Sequence, residues 1–208
     1  MTGAPYLKYE AIGKRADEFL KKYHPGLELP VPIEKIVEFD LKLDIIPMPN
    51  LYKDHDIEGF ITSDMTAIYV DNIQYEIYEQ KYRFTLAHEV GHYVLHSKSL
   101  RDITWGSVEE YIKMRLSVNP RDLDWFETQG HWFAEQVLLP RKRFLEVVRG
   151  VVEDNRTLIK GIPADPKTIF EYLSNVIAPP FNVSPGVVKC RIGRMDVEDE
   201  TRMMIEEL

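Results

Sequence analysis

Cysteine is nearly missing from this chain. The single Cys190 can form neither an intramolecular disulfide nor a cysteine-based zinc site, so any metal centre must be built from His, Asp or Glu. Long apolar runs are missing too. No stretch approaches the roughly 20 residues that a membrane-spanning helix needs. The opening "MTGAPYLKYEAIGKRADEF" has no charged region followed by an apolar one, so a cytoplasmic protein without a membrane anchor is expected. Positive charge is in deficit, with 26 Lys and Arg against 34 Asp and Glu and a formal net charge of -8. That balance works against direct nucleic-acid binding, despite the local "RKR" from Arg141 to Arg143. Internal repeats and low-complexity linkers are absent as well. With 208 residues and 44% hydrophobic content, the chain can build a sizeable core in one domain.

The pattern that remains is mixed. "YEAIGKRADEFLKKY" spaces Ile12, Ala16, Phe19 and Leu20 helically among charges, which predicts an amphipathic surface helix. "HPGLELPVP" breaks it, Pro32 can open a short helix "PIEKIVEFD", and "LKLDIIPMP" alternates as a strand. "IEGFITSD" and "MTAIYVDN" meet at the turn-prone Ser63 and Asp64 and predict an antiparallel hairpin. Gln74 to His96 reads as helix. Residues 97 to 126 are polar and mixed, with a short helix at "SVEEYIKMRL" and a break at "NPRD". A further helix is expected from about Trp125 to Leu139, stopped by Pro140, which can itself begin "PRKRFLEVVRG". Two helices are expected around a break at Pro179 and Pro180, the second opening on Ser184 and Pro185. The acidic "MDVEDETRMMIEEL" is expected to fray. The expected fold is α+β, a small antiparallel or mixed three-stranded sheet packed on helices. It forms one domain over residues 1–208, with a core at about 30–145, a helical part at 146–192 and an acidic tail at 193–208.

Chemistry concentrates in "RFTLAHEVGHYVLH", which holds three of the six histidines. Residues four apart share a helix face, so His88 and His92 can point imidazole nitrogens at one ion, the geometry of the H-E-x-x-H zinc motif. Glu89 falls about 100° around the helix, where it can take a proton from water without displacing a ligand. The competing reading is a buried helix with satisfied histidines. Gly91 costs roughly 1 kcal/mol relative to Ala in a helix, which is explained by close approach of another backbone or of a substrate, or by helix packing. His96 lies roughly 12 Å along the axis from His88, too far for both to bind one ion, and suits a role supporting a ligand.

A catalytic zinc keeps three protein ligands and an open position, so a third ligand is needed. "FETQGHWFAEQVLLP" offers Glu127, His131 and Glu135. Glu127, Gly130, His131 and Ala134 form one stripe at i, i+3, i+4 and i+7, which favours Glu127, with His131 one turn later supporting a ligand. His131 as the third ligand is the rival arrangement, and Glu135 leaves the stripe. Tyr93, His96, Tyr111 and His131 are candidate donors to a tetrahedral oxyanion.

These two segments together resemble the ImmA/IrrE family of metallo-endopeptidases, with its R-F-T-x-A-H-E-x-G-H helix and later E-x-x-A-N-x-F-A-x-x-L-L-x-P helix. The likeness covers roughly residues 30 to 145. It implies one zinc ion on His88, His92 and Glu127, with Glu89 as general base. Gly130 stands where the family usually has Ala, an exchange expected to be harmless, and His131 stands where Asn is usual. The stretch from His96 to Glu127 is longer than typical, which implies an unusual cleft or a site occluded by its own 97 to 126 segment. The resemblance also implies a partner, a helix-turn-helix transcriptional repressor cleaved in a mobile-element, toxin–antitoxin-like or stress-response module. The alternative is a binding regulator that sequesters its partner without proteolysis, its zinc structural or vestigial.

Overall fold

A computed structural model describes residues 6–99, 104–161 and 166–207. Part of the 97 to 126 segment, residues 100–103, lies outside the described residues. The chain divides into two compact units, Met1–Pro25 with Pro32–Val137, and Gly26–Val31 with Leu138–Leu208.

The first unit opens with α1 (Tyr9–Tyr23), which buries Ile12, Ala16, Phe19 and Leu20 as their spacing predicts. A short helix α2 (Ile33–Lys35) widens into a π-helical turn (Ile36–Asp40). Strand β1 (Asp44–Met48) follows, then a helical turn α3 (Leu51–His55) that the sequence pattern does not announce. Strands β2 (Gly59–Ile61) and β3 (Ala67–Asp71) form the expected antiparallel hairpin, while β1 joins β3 in parallel. The sheet is therefore mixed, in the order β1-β3-β2. Pro47 is tolerated in β1 because that strand lies at the sheet edge.

The helical stretch after β3 is two helices, α4 (Asn72–Ile77) and α5 (Glu79–His96), broken at Tyr78. Asp71 makes the first break with the strand. Its Oδ1 accepts from the amides of Ile73 and Gln74 at 3.0 and 3.3 Å, and its Oδ2 from the amide of Tyr52 at 2.9 Å. One buried carboxylate thus caps α4 and ties it to α3. Thr85 Oγ1 donates to Gln74 Oε1 at 3.0 Å and fixes α5 to α4. Eleven residues of α5 are buried, so it is a central helix enclosed on several faces rather than a surface one.

Helix α6 (Val108–Ser117) starts where Ser107 accepts from the Glu110 amide, with Glu110 reaching back to the Gly106 amide at 2.8 Å. Helix α7 (Pro120–Leu138) begins five residues before the expected Trp125. The "NPRD" stretch is a helix start rather than a break, because Asn119 Oδ1 caps the Arg121 amide at 2.9 Å and Pro120 suits the first turn.

In the second unit α8 (Arg141–Asp154), α9 (Arg156–Gly161), α10 (Pro166–Phe181), α11 (Pro185–Ile192) and α12 (Met195–Glu206) pack together. Two expectations fail here. Helix α10 runs through Pro179 and Pro180, which sit in its last turn and so remove only terminal hydrogen bonds. The acidic segment does not fray. Val197 and Thr201 are buried, α12 packs on α8, and the buried Arg191 guanidinium grips Asp196 with two bonds of 2.7 and 2.8 Å. Arg141 pairs with Glu200 in addition. Among the described residues no helix is long and apolar enough to cross a membrane.

Asp71→Ala is expected to destabilise the protein by about 2 kcal/mol, since it removes a helix cap and leaves a Tyr52 amide without its partner. Urea denaturation measures it, and a loss within error of zero would contradict the role given to Asp71.

Candidate metal centre

Helices α5 and α7 meet at two glycines. A Cβ on Gly91 would lie 3.1 Å from Gly130 Cα and 3.2 Å from Gly130 O, so the backbones touch where a side chain would separate them. Gly91 thus serves close packing of two helices, in which the approaching backbone is that of α7.

That approach brings Glu127 of α7 to the histidine face of α5. His88 Nε2 lies 3.0 Å from His92 Nε2 and 3.2 Å from Glu127 Oε2, and the three ligand atoms fall within 4.8 Å of one another. A tetrahedral ion with bonds near 2.1 Å spaces its ligand atoms about 3.4 Å apart, so this donor set fits a zinc-sized cation with little adjustment. Two imidazole lone pairs and a carboxylate oxygen converging at this spacing are what such an ion requires. Glu135 is elsewhere: it is buried and accepts from Tyr9 Oη at 2.6 Å.

The two histidines are held by different means. His92 Nδ1 lies 3.0 Å from His96 Nδ1, and His96 Nε2 lies 3.5 Å from Gln129 Oε1. If His92 Nδ1 donates, its Nε2 lone pair is left for a cation and His96 Nε2 donates onward to Gln129. His88 Nδ1 is buried without a hydrogen-bond partner among the described residues. Its ring is held by packing instead, edge to face with His131 at 4.5 Å and over the bare Gly130. A Cβ on Gly130 would sit 2.8 Å from His88 Cε1. The expectation that Ala is a harmless exchange there is therefore corrected, because His88 occupies the space a methyl group would need. His131 Nδ1 donates to the Glu127 carbonyl at 2.8 Å, so it braces the first turn of the site.

Electrostatics follow from burial and crowding. Burial opposes charge on His88, but its hydrogen bond to Glu127 and the Glu89 charge outweigh that and raise its pKa. Burial would raise Glu127, yet the His88 hydrogen bond and the His92 charge hold it well below the usual carboxylate range. Burial, then the His88 charge, keeps His92 and His131 low. Burial pushes the Glu89 carboxyl up to about 7, against the His88 charge. Glu89 Oε2 accepts from the Ile61 amide of β2 at 2.9 Å, while Oε1 lies 4.0 Å from His88 Nε2. One oxygen is anchored and the other is free to exchange a proton.

Two cavities flank the centre. An open groove of about 330 Å³ runs past His88, Glu89, Glu127 and His131, with Tyr111, Arg115 and Glu58 on its walls. A small apolar cavity of about 30 Å³ lies beside Glu89 and His92, lined by Ile61, Trp105, Met114, Val118 and Phe126. Tyr111 borders both, and burial with the nearby Glu127 and Glu89 charges keeps its hydroxyl protonated. Of the other candidate donors, His96 is committed to His92 and Gln129, and Tyr93 lies near Lys22 of α1 and lines neither cavity. Trp105 and Arg115 went unnoticed in the sequence. The helical spacing of Tyr111 and Arg115 on α6 is the one signal that could have raised Arg115.

Glu127→Ala is expected to lower zinc affinity by at least about tenfold, whereas Glu135→Ala leaves it unchanged. Chelator competition reads both, and the reverse order would remove Glu127 from the site. Metal-stripped protein gives a second test. Burial lowers the His96 pKa from 6.5 to about 4, so the unfolded chain binds a proton that the folded one refuses between those values. Stability should fall as pH drops from about 6.5 to about 4, with His96→Gln shallower by about one proton. An unchanged slope would mean that His96 is not buried neutral.

No curated protein matches the chain at a significant level. A family model does: the IrrE N-terminal-like domain, Peptidase_M78, matches residues 77–192, a span that includes α5, α6 and α7 but not the wall formed by β2 and the residues before it. That is more than half of the 208 residues, and the chain belongs to this peptidase family.

Proposed function

We propose that the protein is a zinc-dependent endopeptidase acting on a regulatory protein. One observation carries the reading: Glu89 stands beside the His88, His92 and Glu127 cluster with one oxygen anchored by the Ile61 amide and the other facing His88. A purely structural ion needs no such base beside it and no open groove leading to it. His88, His92 and Glu127 would hold the zinc ion, which would supply Lewis acidity to the scissile carbonyl and to the attacking water.

The chain's own groups do the rest. Glu89 Oε1 takes the proton of the attacking water and hands it to the leaving amine. The Ile61 hydrogen bond fixes the carboxylate so that little reorganisation is needed. Tyr111 is the donor we assign to the oxyanion, because it lines the groove and its hydroxyl stays protonated near the Glu127 and Glu89 charges. Arg115 on the same wall adds positive charge near both carboxylates. The proposed substrate is a helix-turn-helix repressor. It is motivated by the family assignment, and the acidic balance of the chain suits a protein substrate better than nucleic acid.

Glu89→Gln is expected to retain zinc while cleavage of a helix-turn-helix repressor substrate falls by about 10²-fold or more. Cleavage at the parental rate would sink the mechanism. Zinc bound with no cleavage by either protein would favour a sequestering regulator instead.

A further inference from the structure

Strand β2 lies at the edge of the sheet, next to Glu89. In its antiparallel register with β3, Thr62 N–H bonds Ala67 O and Asp71 N–H bonds Glu58 O, so Gly59 and Ile61 direct their polar groups away from β3. An edge strand of this kind can template an extended peptide once its outward groups are uncovered, and here Phe60 and Ile61 are buried. At Ile61 both outward groups are taken. Its N–H goes to Glu89 Oε2 at 2.9 Å, and its carbonyl accepts the indole N–H of Trp105 at 2.8 Å. Two residues on, Ser63 N–H donates to the Trp105 carbonyl at 3.1 Å, and Trp105 N–H donates to Ser63 Oγ at 3.0 Å. Trp105 thus satisfies the edge from both its main chain and its ring.

The ring also fills the neighbouring space. It is 2% exposed and packs in the cluster of Phe60, Val108, Met114, Val118 and Phe126. The cavity left beside Glu89 and His92 is about 30 Å³, room for a water or two and no more. Removing the indole would leave a large apolar pocket there, with an unpaired carbonyl at its mouth. An acidic side chain entering it would lose its solvation and meet Glu89 and Glu127.

We propose that Trp105 is the resting occupant of a substrate subsite. The pocket takes a large apolar side chain of an extended peptide, and a main-chain N–H of that peptide replaces the indole N–H on the Ile61 carbonyl. Because the Ile61 amide anchors Glu89, a chain paired at that residue runs directly past the general base. The inference rests on the peptidase reading for its catalytic meaning, although the displacement of Trp105 is observable without turnover.

The test uses the zinc-loaded full chain carrying Glu89→Gln and two blocked alanine hexapeptides, one with a central Phe and one with a central Asp. Hydrogen exchange is followed with each. Saturating Phe peptide should speed exchange across 105–118 by about tenfold or more while 59–61 stays protected, and the Asp peptide should change neither. Added Trp105→Ala or Trp105→Phe should tighten Phe-peptide binding by about tenfold. Trp105→Phe keeps a ring in the core, so it guards against simple unfolding. Three results would overturn the subsite: Phe peptide bound with exchange at 105–118 unchanged, binding no tighter in Trp105→Phe, or no binding to any variant at millimolar peptide. Protein with Glu89 intact separates the two claims. Displacement of Trp105 without cleavage keeps the subsite and refutes the peptidase, whereas cleavage with 105–118 undisturbed does the reverse.

Discussion

The contact of α5 with α7 at Gly91 and Gly130 is the constraint on which the centre depends. Gly91 lets one backbone approach the other, and Gly130 leaves the space that the His88 ring occupies. Each glycine costs a helix roughly 1 kcal/mol relative to Ala, so both oppose local helix stability in favour of one tertiary contact. Glu127 stands one turn before Gly130, and only at this separation does its carboxylate reach the imidazoles. A pair of missing side chains therefore does as much for the site as the ligands themselves.

Around that contact the site is fixed from three directions. The sheet holds Glu89 through the Ile61 amide, the inner part of α7 holds His92 through Gln129 and His96, and the outer part holds His88 through His131. These supports draw on different physics, with directional hydrogen bonds for the base and one ligand and packing for the other. The Asp71 cap and the Thr85 to Gln74 bond transmit the position of the sheet to α5. The base and two ligands share α5, while the third ligand comes from α7 and the anchor of the base from β2, so the site depends on the spacing of three elements.

Much of this was legible because it is local. Helical periodicity placed His88 and His92 on one face, excluded His96 from binding the same ion, and marked Glu127 over Glu135 by its stripe; the structure brings these residues together in that way. The hairpin and α1 follow from alternation and amphipathic spacing. What escaped the sequence depends on distant partners or on context. Trp105 bonds residues 42 and 44 positions away, and no spacing rule announces that. Helix α12 is too acidic to be read as packed, yet Arg191 and Arg141 neutralise it. Proline punctuation misled at Pro120, which starts a helix, and at Pro179 and Pro180, which lie within the end of one. Gly130 looked interchangeable with Ala because only the folded neighbour reveals the cost of a methyl group.

The central claim is that the close helix pair builds one cation site from His88 Nε2, His92 Nε2 and Glu127. Anomalous diffraction at the zinc edge from crystals of the metal-loaded protein tests it most directly. A single peak about 2.1 Å from those three side chains is expected. A peak bound through His131 or His96 in place of Glu127, or two separated peaks, would contradict it.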